Sequence, residues 1–169
     1  MIIKQTERLI IEHFTPDDDT FILALLNTPS WIAFIGDRSI KTKEDAGRYL
    51  KDRLIKSYTD KGFGFYITRL KSNNEPIGTC GLVKRDSLDI IDIGFAFLPE
   101  YEGKGYGYES SDAILTFAKN ELKLLRIAAI TNKENERSIG LLKKLGLHFQ
   151  KMIILPSETE EIMLFEKTL

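Results

Sequence analysis

The chain has 169 residues, of which 43% are hydrophobic and 29% charged, as in an ordinary globular protein. Its formal net charge of −1 argues against binding of nucleic acid, its single cysteine excludes a disulfide within the chain, and its two distant histidines argue against a metal site. No segment is apolar over the length of a signal core or a membrane span, so we expect one cytoplasmic domain over residues 1–169.

The sequence of the N-terminal half predicts one strand, then helical segments, then two more strands. Pro16 and three aspartates mark a helix start, and Thr42 is a typical N-cap. The four residues 27–30 are expected to interrupt the first helix. The predicted elements are a strand at 8–14, a helix at 16–26, a short apolar helical turn at 31–35, a helix at 42–58, and strands at 62–70 and 76–83.

A glycine-rich loop follows the next strand, at 89–97. Gly103, Gly105 and Gly107 stand at alternate positions before a helix predicted at 109–122. Glycine lets a ligand approach the backbone closely, and a helix N-terminus attracts anions, so this segment predicts a cradle for a phosphate or pyrophosphate. The spacing matches neither a P-loop nor a dinucleotide-binding turn. A plain glycine-rich turn remains the alternative.

The sequence of the C-terminal part predicts one strand and one helix before a final pair of strands. A β-type run covers 126–131, and a helix at 135–145 ends at Gly146, a typical C-terminal cap. Strands at 147–155 and 161–166 flank Pro156 and are expected to pair with each other in antiparallel orientation. Together the elements predict a mixed α/β sheet covered by helices.

Two segments in this order, IGFAFLPEYEGKGYGYES and TNKENERSIGLLKKLGL, resemble the acetyl-CoA-binding core of the GNAT N-acetyltransferases. The resemblance is to the branch with the ribosomal-protein N-terminal acetyltransferases, and the opening TERLIIEHFTPDD is similar to the start of that branch. It implies one N-acetyltransferase domain of α/β (α+β) class, with a mixed, mostly antiparallel seven-stranded sheet and about four helices. The central strands 90–98 and 126–131 would splay apart and hold CoA.

The resemblance implies acetyl-CoA as cosubstrate and no metal. The pyrophosphate would be bound by the loop residues Gly103, Lys104, Gly105, Tyr106, Gly107 and Tyr108. The strand edge at Phe97 and Leu98 would offer backbone groups to the pantetheine amides. Asn132, Asn135 and Ser138 are further candidates for cofactor contact, with helix capping as the alternative role.

Acetyl transfer to an amine needs a base for the amine and an acid for the thiolate leaving group. Many GNAT enzymes carry a tyrosine acid where this chain has Leu142, so the resemblance leaves Ser138 as the candidate acid. Asp92 is the candidate base on the central strand, and Glu158 and Glu160 are candidates in the tail. Water and backbone carbonyls are the alternative to all three.

Trp31, Phe34 and Ile35 lie in the segment that lines the acceptor cleft in the family, with ordinary core packing as the alternative. Glu102 stands where the best-known form of the motif has Arg or Gln, and we expect it to point outward. The acceptor is predicted to be a primary amine, either a protein N-terminal α-amine or a small molecule such as a polyamine, amino sugar or amino acid. A non-catalytic CoA-binding regulatory module is the alternative function. Homodimerisation is left open.

Overall fold

The structure, a computed structural model, describes residues 1–169 as eight strands and five helical segments. The strands are β1 (Ile2–Gln5), β2 (Leu9–Glu12), β3 (Phe65–Leu70), β4 (Pro76–Val83), β5 (Asp92–Phe97), β6 (Arg126–Thr131), β7 (His148–Ile154) and β8 (Glu161–Thr168). The helices are α1 (Asp19–Leu26), α2 (Pro29–Phe34), α3 (Lys43–Tyr49), α4 (Lys56–Lys61), α5 (Tyr106–Asn120) and α6 (Glu136–Lys144), with α3 and α4 joined by the π-helical turn Leu50–Ile55 into one segment. None of these helices has the length and apolar character needed to cross a membrane.

All strands belong to one sheet in the order β1-β2-β3-β4-β5-β6-β8-β7. Every neighbouring pair is antiparallel except β5 and β6, which are parallel and share one residue pair, Asp92 with Ala128. The amide of Ala128 donates to the carbonyl of Ile91 at 2.9 Å, and beyond this point the two strands diverge. The prediction of a mostly antiparallel sheet with splayed central strands is therefore confirmed, as is the C-terminal hairpin.

Two predictions about the elements were wrong. The sheet has eight strands rather than seven because the short N-terminal segment Ile2–Gln5 pairs with β2. The segment 27–30 does not only interrupt a helix: the hydroxyl of Thr28 accepts the amide of Trp31 at 3.3 Å, and Pro29 opens α2. This is the usual chemistry of a helix start, and it raises the helix count.

Each face of the sheet packs against helices. Adjacent strand residues point to opposite faces, so on β3 Tyr66 belongs to the core under α5 and α6, while Ile67 belongs to the core under α1 and α3. Cys80 is fully buried in the first of these cores, and burial raises the pKa of its thiol to about 11. It is therefore a packing residue rather than a reactive thiol.

Candidate active site

The gap between β5 and β6 joins two cavities. The loop-side cavity, of about 680 Å³, lies against the glycine loop and the start of α6. The tail-side cavity, of about 710 Å³, lies against α1, α2 and the turn between β7 and β8. Both are lined by Trp31, Phe34, Ile35, Phe95, Ala96, Asn135 and Ser138. The two cavities therefore meet at the gap, and together they are called the passage.

The glycine loop presents a row of free amides to the loop-side cavity. The backbone N–H groups of residues 103–108 donate no hydrogen bond within the protein, and the first helical bond runs from Glu109 to the carbonyl of Gly105 at 3.0 Å. Gly103 and Gly105 have φ of +71° and +84°, a backbone conformation that side chains with a Cβ rarely adopt. Six successive free amides at the start of α5 form an anion site that fits a pyrophosphate.

The glycines of this loop serve different purposes. A Cβ on Gly103 would meet no atom within 4 Å, so this side of the loop is open. A Cβ on Gly107 would lie 3.0 Å from Leu141 of α6, so this glycine lets the two helices approach. Because α5 begins at Tyr106, it starts three residues earlier than predicted, inside the glycine motif.

The free edge of β5 borders the gap. The amide of Leu98 donates to the carbonyl of Ile77 on β4 at 2.9 Å. Because successive residues of a strand direct their polar groups to opposite edges, those of Phe95 and Phe97 face the gap, where β6 has diverged. Leu98 itself lines neither cavity, and its amide is already bonded to β4, so the contact with a pantetheine chain stays a prediction.

Helix α6 begins at the junction of the two cavities. The Oδ1 atom of Asn135 accepts the amide of Ser138 at 3.2 Å, so Asn135 caps the helix while it lines the passage. The hydroxyl of Ser138 has no hydrogen-bond partner in the protein and also lines the passage. The side-chain oxygen of Asn132 instead accepts a hydrogen bond from the amide of Glu134 at 2.9 Å. Asn132 lines only the tail-side cavity and not the cavity at the glycine loop.

Asp92 lies at the root of the gap and lines the tail-side cavity. It is 1% exposed, and the Nε atom of Arg85 is 3.1 and 3.3 Å from its two carboxylate oxygens. Burial raises the pKa of Asp92 to about 6, although the charge of Arg85 acts in the opposite direction. The tail-side cavity therefore contains a buried carboxyl group whose pKa lies above its ordinary value.

The predicted acceptor residues all lie at the junction of the cavities. Trp31 is buried, whereas Phe34 and Ile35 on and after α2 are 39% and 44% exposed and border both cavities. Glu158 and Glu160, on the turn between β7 and β8, line the outer part of the tail-side cavity. The structure thus places apolar side chains around the passage and carboxylates at its tail-side entrance.

Glu102 does not point outward as expected. Its carboxylate pairs with the guanidinium of Arg137 in the first turn of α6, and both residues line the loop-side cavity. Arg137 was missed by the sequence analysis, although a basic residue directly before Ser138 was a visible signal. The ion pair connects the glycine loop to α6 across this cavity.

A splayed α/β sheet with free amides and a buried carboxyl group at the gap fits an acyltransferase. The family model of the acetyltransferase (GNAT) domain matches residues 8–148. The chain therefore belongs to the GNAT acetyltransferase family, and it is an acetyltransferase.

Relatives support this assignment over nearly the whole chain. The uncharacterized protein YkkB of Bacillus subtilis (strain 168) is 32% identical over 153 residues, which cover 88% of this chain and 86% of YkkB. A GNAT-family acetyltransferase from Bacillus anthracis is 25% identical, with a TM-score of 0.81 over 99% of this chain and 98% of that one. RimL, a ribosomal L7/L12 alpha-N-protein acetyltransferase solved with coenzyme A, shares the fold at 13% identity, with a TM-score of 0.85 over 100% of this chain and 98% of RimL.

Proposed function

We propose that the protein transfers an acetyl group from acetyl-CoA to a primary amine by direct attack, with the two substrates entering from opposite sides of the sheet. The observation that supports this most is that the same residues at the gap line both cavities. Acetyl-CoA enters from the loop side, where the free amides of residues 103–108 bind its pyrophosphate. The amine enters from the tail side, past Asp92.

Residues that line the cavities provide the proton transfers. The amine nitrogen forms a bond to the thioester carbonyl carbon, the carbon–sulfur bond breaks, and the amine loses a proton. Asp92 accepts that proton, directly or through water, since a carboxyl with a pKa of about 6 is mostly ionised at neutral pH. The free hydroxyl of Ser138 donates a proton to the departing thiolate and takes one from water in return, so that no alkoxide is left.

The composition of the tail-side cavity favours an amine with an apolar neighbour. Most of its lining residues are hydrophobic, and its four carboxyl groups outnumber its two guanidinium groups: Asp86, Asp92, Glu158 and Glu160 against Arg38 and Arg85. Carboxylates attract an ammonium group, and the apolar lining stabilises a hydrocarbon group beside it. A protein N-terminal α-amine with an apolar first residue fits these features. A small amphiphilic amine is the second candidate, and the apolar lining disfavours a polyamine.

Release of CoA from acetyl-CoA during incubation with a panel of amines tests the proposal. The panel contains peptides that begin with Ala, Leu or Asp, together with phenethylamine, glucosamine and spermidine. We expect the highest kcat/KM for a peptide with an apolar first residue. Preference for spermidine would contradict the proposed acceptor, and CoA binding without release with any amine would contradict direct transfer.

Replacing Gly105 by Val is expected to weaken CoA binding by at least about tenfold, or ~1.4 kcal/mol. The position has φ of +84°, and its Cβ would lie 3.2 Å from the guanidinium of Arg8, so a branched side chain strains the loop that carries the free amides. Isothermal titration with CoA measures the effect. Gly140→Val is the control, because φ is not positive there and a Cβ would meet no atom within 4 Å. Equal affinity in Gly105→Val and wild type would remove the loop from the CoA site.

Replacing Ser138 by Ala is expected to lower kcat by about a hundredfold, the lower end of the usual range for loss of a proton donor. The variant keeps the amide that Asn135 caps and removes a hydroxyl without a partner, so the melting temperature and CoA affinity should stay close to wild type. Steady-state rates with the best amine of the panel provide the measurement. A kcat within about twofold of wild type would mean that solvent protonates the thiolate.

A further inference from the structure

Arg8, from the opening sequence TERL, contacts the glycine loop from outside both cavities. One guanidinium nitrogen donates to the carbonyl of Lys104 at 3.0 Å, and the Nε atom donates to the carboxylate of Glu109 at 2.7 Å. The guanidinium carbon lies 4.4 Å from the centre of the Tyr106 ring. A single side chain therefore contacts the loop, the first residue of α5 and the fourth.

Glu109 is held by the same turn of the chain. Besides the Arg8 side chain, the backbone amide of Arg8 donates to its carboxylate at 2.9 Å, and the hydroxyl of Thr6 donates to the same oxygen. Burial raises the pKa of Glu109, but these hydrogen bonds outweigh burial and leave the pKa below its ordinary value. Glu109 is therefore an ionised anchor that joins α5 to the N-terminal segment.

Apart from the Glu102–Arg137 ion pair and the Lys104 ammonium, 5.6 Å from the centre of the Tyr101 ring, the loop has few interactions that could hold its conformation. Between Gly103 and Gly105, the only hydrogen bonds within the protein are from the Arg8 guanidinium to Lys104 and from the amide of Glu109 to Gly105. Two of the three residues are glycines, which lose the most backbone freedom when they are ordered. The first of these bonds is made by Arg8 itself, and the second is made by the backbone of Glu109, whose carboxylate Arg8 also binds.

We propose that Arg8 is a positioning residue for CoA, which holds the glycine loop in its anion-binding conformation through Lys104, Tyr106 and Glu109. It lines neither cavity and so acts through the loop rather than on the ligand. The apparent affinity of a ligand is its intrinsic affinity multiplied by the fraction of the protein in the binding-competent conformation. If loss of Arg8 leaves about a tenth of the molecules with an ordered loop, CoA affinity falls about tenfold.

The main variant is Arg8→Met, which keeps the aliphatic stem and removes the guanidinium. We expect the dissociation constant of CoA, measured by titration, to rise about tenfold. Hydrogen exchange of the amides in 103–108 should be faster in the ligand-free variant, and kcat at saturating acetyl-CoA should stay close to wild type. Arg8→Lys keeps the charge but not the fork that reaches Lys104 and Glu109 together, so its affinity should lie between the two.

A ligand without a pyrophosphate distinguishes positioning of the loop from a general loss of stability. S-acetylpantetheine lacks the group that the loop binds, so its kcat/KM should be the same in Arg8→Met and wild type. Equal losses for S-acetylpantetheine and acetyl-CoA would overturn the inference. A dissociation constant for CoA within about twofold of wild type would also overturn it.

Arg126→Met is the matched control. Arg126 also pairs with a partly buried glutamate, Glu166, but it lies at the start of β6 and lines neither cavity. The Arg126→Met substitution should leave the affinity for CoA unchanged. The inference rests on the proposed CoA site, and Gly105→Val separates the two failures. If Gly105→Val weakens CoA binding and Arg8→Met does not, only the role of Arg8 is wrong; if neither does, the proposed site is wrong.

Discussion

Deletion of residues 156–169 is expected to unfold the domain. The deleted segment contains β8, which lies between β6 and β7 and pairs with both over most of its length. The deletion also removes Phe165, which is fully buried in the core under α5 and α6, and Leu164, which is 5% exposed. Truncating one such side chain typically costs about 2–5 kcal/mol, and a domain has only about 5–15 kcal/mol of stability.

Thermal melting followed by circular dichroism measures the outcome. The truncated chain should show no cooperative transition. Phe165→Ala, which keeps the strand, should lose about 3–5 kcal/mol and still melt cooperatively. Ile154→Ala is the control, because Ile154 lies on the edge strand β7 and is 57% exposed. This substitution should change the free energy of unfolding by less than about 0.5 kcal/mol. A cooperative transition of the truncated chain near the wild-type temperature would show that β8 is dispensable.

Local sequence signals predicted most of the fold because the elements around the gap carry them strongly. The glycine pattern before an amphipathic segment located the free amides, and the apolar run at 126–131 coincides with β6. The segment Ile2–Gln5 was missed because four residues show too little periodicity, and it becomes a strand only by pairing with β2. The π-helical turn Leu50–Ile55 was missed because its apolar stripe is also that of an α-helix.

The candidate site was predictable where a residue stands within a motif and not where its partner lies far along the chain. Asn135 and Ser138 follow a recognisable helix start, and the structure brings both to the passage. Arg8 contacts Lys104 and Glu109, which lie 96 and 101 residues away in the sequence. A periodic pattern of side chains does not predict a contact between residues so far apart. The contact between Arg85 and Asp92 also depends on the turn between β4 and β5.

Asp92→Asn is expected to lower kcat/KM by about 10²–10⁴-fold, the usual contribution of a general base. Asparagine keeps the shape of the side chain but cannot accept the proton of the amine. The wild-type carboxylate is the active form, so log kcat/KM should rise with pH up to the pKa of about 6 and level off above it, once the titration of the acceptor amine is allowed for. The Asp92→Asn variant should not show this rise of log kcat/KM with pH.

Stability separates a catalytic role of Asp92 from a structural one. Folding raises its pKa from 3.8 to about 6, so the stability that its neutral form contributes is fully present below pH 3.8 and is lost as the pH rises through about 6. Asparagine stays neutral, and Asp92→Asn should therefore melt no lower than wild type above pH 6. Asp89→Asn, at an exposed position outside both cavities, is the matched control and should keep wild-type activity. A variant that loses activity and stability together at pH 8 would assign Asp92 to the fold, with water as the base.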